Sequence, residues 1–147
     1  ILRISNVIGF TNNQFFGRKV HRTFIDIFIE NIKKGIILKQ NKIYKDFISS
    51  QKLSEIVYKI ILKNLNGGIY NVSLGKKIFI SEIVEWLNYY NNNKVKVLKL
   101  NPKYHNKDSF TLNNNKLMKS IKLKNTVAEL KKECVKISKK LFYRYEK

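Results

Sequence analysis

Segments of strand period and segments of helical period alternate along most of the chain, and this alternation restricts the fold more than any single residue does. Ile1, Leu2 and Ile4 mark residues 1–6 as a buried strand, and Asn6 and Gly9 stand where that strand is expected to run out. Residues 10–19, "FTNNQFFGRK", read as a loop. From Thr23 the spacing turns helical, with Phe24, Ile27, Phe28 and Ile32 on one face and Gly35 as a stop. Thr23 is a suitable cap for that helix, with Asp26 three residues on.

"GIILK" and "KIYKDFI" then read as short strands on either side of Gln40 and Asn41. Leu53, Ile56, Val57, Ile60 and Ile61 mark a second helix, which "NGG" at 66–68 breaks. "IYNV" at 69–72 is a strand and "SLGKK" a turn. Ser81 begins a third helix carrying Ile83, Val84, Trp86 and Leu87. After the "YYNNNK" turn, "VKVLKL" alternates as a strand should, and a polar loop runs from 102 to 107. The last helix has the clearest signature. Thr126 and Glu129 form a capping box, and Val127, Leu130, Cys134, Ile137 and Leu141 fall on one stripe. The expected class is α/β, in a single region of 147 residues.

The hydrophobic fraction of 44% is enough for a core, and the longest apolar runs are far short of the roughly 20 residues of a membrane span. No membrane partner is expected. The first ten residues show no basic region and no cleavage site, so no signal peptide is expected. Cys134 is the only cysteine, so no disulfide can form within the chain; this suits a reducing cytosol, and a cytoplasmic location is expected.

The net charge of +20 raises the question of a nucleic-acid surface. The chain carries 26 lysines against 4 arginines, scattered rather than gathered, and is crowded with asparagine and isoleucine. A/T-rich coding produces that mixture. A surface selected to grip phosphates and bases uses more arginine, whose guanidinium binds in a fork. Composition bias is therefore the preferred explanation, and a basic non-catalytic nucleic-acid-binding module is the alternative.

Free-standing catalytic chemistry is hard to find. His21 and His105 have no Cys, Asp or Glu at metal-ligand spacing. Gly67, Gly68 and Gly75 do not form a dinucleotide fingerprint. Tyr90 with Lys94, and Tyr143 with Lys147, match Tyr-x-x-x-Lys, but the first pair spans an asparagine turn and the second is at the chain end. Cys134 on its apolar stripe reads as a core residue rather than a nucleophile. Trp86, Tyr89 and Tyr90 read as packing rather than as a base-stacking platform.

Four stretches in order resemble one family. "LRISNVIG" is similar to the Leu-Arg-x-x-Asn-Val-Tyr-Gly-Pro segment of NAD-dependent nucleotide-sugar epimerases, dehydratases and reductases, the extended short-chain dehydrogenase/reductases. "YKDFISSQKLSEIVYKII" resembles their Arg-Asp-Phe-Ile segment and the helix after it. "GGIYNVSLGKKIFISEIVEWL" resembles their Gly-Ile-Tyr-Asn-Val-Gly-Ser-Gly-Lys segment and its helix, and "DSFTLNNNKL" their closing segment. In the family, the glycine-rich turn, the catalytic Ser or Thr and the Tyr-x-x-x-Lys all precede the first of these stretches. The resemblance therefore implies the C-terminal substrate-binding portion of an extended Rossmann-type enzyme. Residues 1–6 would be one late strand of its sheet, with the N-terminal cofactor-binding domain absent from this sequence.

The resemblance also implies roles for particular residues. Asn6 matches the asparagine that reaches the substrate diphosphate, and Ile4 and Ser5 match residues beside the nicotinamide. Lys45 matches the basic residue that holds the diphosphate. Arg22 and Thr23 stand where a loop brings a helix N-terminus towards the phosphates. Lys103, Lys107 and Asp108 are the nearest equivalents of a base and an acid that meet the nucleotide. No catalytic residue and no metal ligand carries over. The implied partners are NAD or NADP, a nucleotide-diphosphate sugar, a separate cofactor-binding half and a homodimer partner.

Several positions depart from the family pattern. Lys45 replaces arginine, so a forked grip becomes a point charge. Ile8 and Phe10 replace Tyr and Pro, and Gln51 and Lys52 replace the acidic pair that opens the next helix. Asn71 is expected to brace the turn before Gly75. The strand at 1–6 would lack sheet neighbours, so aggregation or partial disorder near residues 1–20 is expected of the chain made alone.

Overall fold

A computed structural model describes residues 1–9, 24–35, 38–40, 43–91, 97–99 and 109–143. In chain order the strands are β1 (Leu2–Ile4), β2 (Asn6–Ile8), β3 (Leu38–Gln40), β4 (Tyr44–Lys45), β5 (Phe47–Ser49), β6 (Tyr70–Val72), β7 (Ile78–Phe79) and β8 (Val97–Lys99). The helices are α1 (Phe24–Lys33), α2 (Ser50–Leu62), α3 (Ile80–Leu87), α4 (Asn115–Ile121) and α5 (Val127–Phe142), with a 3₁₀ turn at Tyr89–Asn91. The mixture is α/β, as the alternation predicts. Among the described residues, no helix is long and apolar enough to cross a membrane.

The strands pair as four two-stranded ladders among the described residues. β1 runs parallel to β6, with Leu2 opposite Tyr70 and Ile4 opposite Val72. β2 runs parallel to β5, with Asn6 opposite Phe47 and Ile8 opposite Ser49. β3 and β8 are parallel, and β4 and β7 antiparallel. The first strand therefore does not end at Asn6. It changes partner at Ser5, whose N–H donates to the Val72 carbonyl at 3.0 Å, and the next N–H, of Asn6, donates to Asp46 at 3.3 Å. Further along, the Leu74 N–H reaches the Phe47 carbonyl at 3.1 Å, joining the end of β6 to β5.

β5 is buried at every position because it separates two apolar clusters. Successive side chains of a strand face opposite ways. Phe47 enters a cluster with Ile8, Ile32, Leu74, Ile78, Ile83, Trp86, Leu130, Cys134 and Ile137. Ile48 enters the other, with Ile56, Tyr70, Val72, Leu117 and Ile121. Side chains of this size each contribute about 2 kcal/mol when fully buried.

α5 presents the stripe its spacing implies. Leu130, Cys134 and Ile137 are buried, Leu141 is partly buried against the same cluster, and only Val127, in the first turn, is exposed. Its capping box is formed: Thr126 Oγ1 accepts from the Glu129 N–H at 3.3 Å, and Glu129 Oε2 accepts from the Thr126 N–H at 2.9 Å. α2 is capped by Ser49, whose Oγ accepts from the Lys52 N–H at 3.1 Å. Its first turn holds no acid. The Lys52 ammonium instead runs to Glu55 and to Glu129 of the α5 cap, at 2.7 Å each. Trp86 is buried in the first cluster, as expected of a packing residue.

Three expectations are corrected. Ile1, Leu2 and Ile4 do not form a buried strand; they are exposed by 82%, 36% and 47%, because β6 is β1's sole described neighbour. On α1, Ile32 meets the core as expected and Ile29 joins it, but Ile27 is half-exposed; the side chains of Phe24 and Phe28 lie outside the described ones. On α2 the stripe reaches the core through Leu53, Ile56 and Ile60, and Ile61 lies outside it at 70% exposure. α4 and β7 had no sequence signal. α4 is short and ends at Lys122, a non-glycine in the left-handed region at φ 50°, so no glycine marks its end.

Candidate functional site

Asp46 stands between β4 and β5 and is fully buried. Its Oδ1 accepts from the N–H groups of Leu74 and Gly75, each at 3.1 Å. Its Oδ2 accepts from Gly75 at 3.1 Å and from Leu112 at 2.9 Å. Burial pushes the carboxyl up from its ordinary value, and the Leu112, Gly75 and Leu74 amides with the Ser73 hydroxyl pull against that rise. One side chain thus joins three segments distant in sequence: the β4–β5 junction, the turn after β6 and the stretch before α4.

The turn after β6 needs its glycine. Gly75 has φ +71°, and a Cβ there would lie 2.8 Å from Asn114 Oδ1. Asn114 and Asn125 both donate to the Ser73 carbonyl, at 2.7 and 3.0 Å. Asn71 does not brace this turn, as had been expected; its Nδ2 donates to the Asn113 carbonyl at 2.8 Å. The bracing comes from Asp46 and Asn114 because their side chains reach the turn from other segments.

Asn6 and Lys45 meet at the same junction. Asn6 Nδ2 donates to the Asp46 carbonyl at 3.0 Å, and its backbone N–H reaches the same oxygen. A side-chain amide carries two N–H groups, so one remains for a ligand after this bond. Lys45 immediately precedes Asp46, and its ammonium lies 5.8 Å from the centre of the Phe110 ring. Phe110 is exposed and directly follows Ser109, whose hydroxyl accepts from the Tyr44 N–H at 3.3 Å. On the neighbouring ladder Tyr44 meets Phe79 edge-on at 6.0 Å, and the Lys77 ammonium lies 5.1 Å from the Tyr44 ring. The assembly is a half-buried cation and an amide donor, the amide held by the Asp46 main-chain carbonyl, with aromatic rings nearby. It suits an anion attached to a flat ring system.

Ser5 and Ile4 lie one and two residues before Asn6. The Ser5 hydroxyl is buried with no hydrogen-bond partner among the described residues. Arg22, Thr23, Lys103, Lys107 and Asp108 lie outside the described residues, as do His21, His105, Lys94 and Lys147. Sequence reading missed Asp46 as an organiser of the site. The signal was an acid inside the apolar run "KIYKDFI", where a charge must be partnered if it is buried. Cys134 is buried, and burial with the Glu133 carboxylate beside it pushes its thiol up to about 12, so it is inert.

No protein-family model and no curated protein matches this sequence. The fold itself is shared with solved structures. It is similar to a UDP-N-acetylglucosamine 4-epimerase from Methanobrevibacter ruminantium solved with UDP-N-acetylmuramic acid, at a TM-score of 0.70 and 20% identity, over 94% of this chain and 44% of that one. It is similar also to RMD from Pseudomonas aeruginosa complexed with NADPH, at 0.68 and 18%, over 98% of this chain and 48% of that one. The enzyme WbmG of Bordetella bronchiseptica, solved with NAD and UDP, gives 0.66 and 21%, over 98% and 43%. The chain therefore has the α/β fold found in part of these proteins, and it spans less than half the length of each.

Proposed function

We propose that this chain is the substrate-binding part of an NAD(P)-dependent nucleotide-sugar epimerase, dehydratase or reductase, cytoplasmic, and without oxidoreductase activity alone. The observation that carries the reading is the convergence of Asn6 and Lys45 on the Asp46 junction. These two residues match the diphosphate contacts that the resemblance implies, and Asn6 is bonded to Asp46, the neighbour of Lys45, across 40 residues of chain. A diphosphate presents several oxygens to donors, and an ammonium together with an amide N–H matches that demand. The neighbouring rings offer a face to a base.

Ile4 and Ser5 fit the nicotinamide end of the cofactor. Ile4 exposes apolar surface, and the Ser5 hydroxyl, buried without a partner among the described residues, keeps a hydrogen bond to give. The cofactor supplies hydride acceptance and return; this chain's residues hold and orient the sugar nucleotide. A companion cofactor-binding region would cover Ile1, Leu2 and Ile4 along β1.

The test is calorimetric titration of the purified chain with UDP, a UDP-sugar and random RNA at physiological salt. Binding of UDP in preference to RNA is expected, with Lys45→Ala weakening it about tenfold, or roughly 1.4 kcal/mol. RNA binding that is stronger and falls steeply with salt would overturn the reading in favour of a nucleic-acid module. NAD(P)-dependent turnover by the chain alone would overturn the claim of inactivity.

A further inference from the structure

Asp46 touches the proposed ligand site only through other residues, yet Asn6 and the segment that carries Phe110 are both tied to it, and Lys45 is its chain neighbour. Its peptide carbonyl holds Asn6 Nδ2 at 3.0 Å. Its carboxylate holds the Leu112 N–H at 2.9 Å, two residues beyond Phe110, the ring beneath Lys45. The same carboxylate fixes the Leu74 and Gly75 amides of the turn that follows β6. Ser73 strengthens the junction from the side, since its hydroxyl donates to the Leu112 carbonyl at 3.3 Å.

We propose that Asp46 is a positioning residue for nucleotide binding, setting the geometry of Asn6, Lys45 and the Phe110 segment as one unit. The proposal rests on the nucleotide-sugar reading above. Its physical basis is directional. A carboxylate bonded to backbone N–H groups fixes main-chain positions, and the neighbouring side chains inherit that precision. A peptide carbonyl that receives the backbone N–H and one side-chain N–H of Asn6 leaves the amide little freedom to rotate away from a ligand.

A double-variant cycle with UDP as probe tests it. Asp46→Asn keeps the shape but faces an NH₂ towards amide donors, and Lys45→Ala removes the cation. Each single change is expected to weaken UDP binding about tenfold, and Asp46→Asn made in the Lys45→Ala background only about twofold further. A purely structural role would leave the two effects multiplicative at about a hundredfold, and that result overturns the proposal. Unchanged UDP affinity in Asp46→Asn overturns it too. Ser73→Ala provides the same cycle should Asp46→Asn fail to fold; about threefold weakening, lost in the Lys45→Ala background, is expected, and multiplicative effects overturn the proposal. Failure of the wild-type chain to bind UDP would instead remove the functional reading and this proposal with it.

Discussion

Asp46 and Lys52 are both buried charges, six residues apart, and the fold uses them differently. The partners of Asp46 are mainly backbone N–H groups from the 74–75 turn and from Leu112. Lys52 meets side chains, the carboxylates of Glu55 and Glu129 at 2.7 Å, and adds only a long bond to the Lys124 carbonyl at 3.4 Å. A main chain cannot move away from a lost partner, but an exposed glutamate can turn to water. Glu55 and Glu129 are 41% and 43% exposed, so they have that escape. The carboxylate therefore fixes the shape of the site, whereas the ammonium docks two helices and is replaceable.

The largest expected effect breaks the Asp46 side of this comparison. Asp46→Ala strands the part-buried amides of Gly75 and Leu112, each worth about 1–3 kcal/mol when unsatisfied, and leaves the Leu74 N–H only its bond to the Phe47 carbonyl. A loss of at least about 3 kcal/mol in urea-monitored unfolding is expected, and a loss below about 1 kcal/mol would equate the two charges.

Gly75→Ala strikes the same junction through the backbone. The left-handed φ of +71° and the contact with Asn114 are expected to cost about 2 kcal/mol, read from the same unfolding curves.

Lys52→Met is expected to shift stability by only about 1 kcal/mol, since the methionine fills the stem's space and the freed carboxylates reach solvent. The pH dependence carries the sign. Burial pushes Glu129 up, but hydrogen bonding from Lys52 and from Thr126 outweighs it and holds the carboxyl below its ordinary value of 4.5. Burial pulls Lys52 down, but Glu129 and Glu55 raise it above 10.5. The pair's stabilisation is therefore complete between pH 4.5 and 10.5. It is lost as pH falls through the depressed Glu129 value, or rises through the elevated Lys52 value. Melting curves of wild type and Lys52→Met should differ by a constant amount inside that window and converge only below its acid end, as pH falls through the depressed Glu129 value.

The smallest expected signal is at Cys134. With its thiol pushed up to about 12, the native protein should not react with a disulfide reagent at pH 8, and reaction should appear only with unfolding. Rapid labelling of folded protein would show that the α5 face opens, and would weaken the view of Lys52 as the dock between α2 and α5.

Legibility in the sequence followed the range of the interactions. α5 could be read because its stripe and its capping box are local, and α2 and α3 because apolar residues recur at helical spacing. α4 could not, because Leu117 and Ile121 give it a single apolar step. Asn6 and Lys45 were found through resemblance, and the structure brings them to one junction. Asp46 was visible as an acid in an apolar run, but its partners lie 28 and 66 residues away and no spacing rule connects them.

The sequence by itself determined the alternation of helix and strand, the caps of α5 and the inert placement of Cys134, because each depends on residues within a few positions of one another. Only the tertiary structure decided that the first strand changes partner at Ser5 and leaves Ile1 and Ile4 exposed. It alone decided that Lys52 pairs across to α5, and that Asp46 gathers three segments. Those outcomes depend on which distant groups meet, and on the cost of leaving a buried charge or amide without a partner.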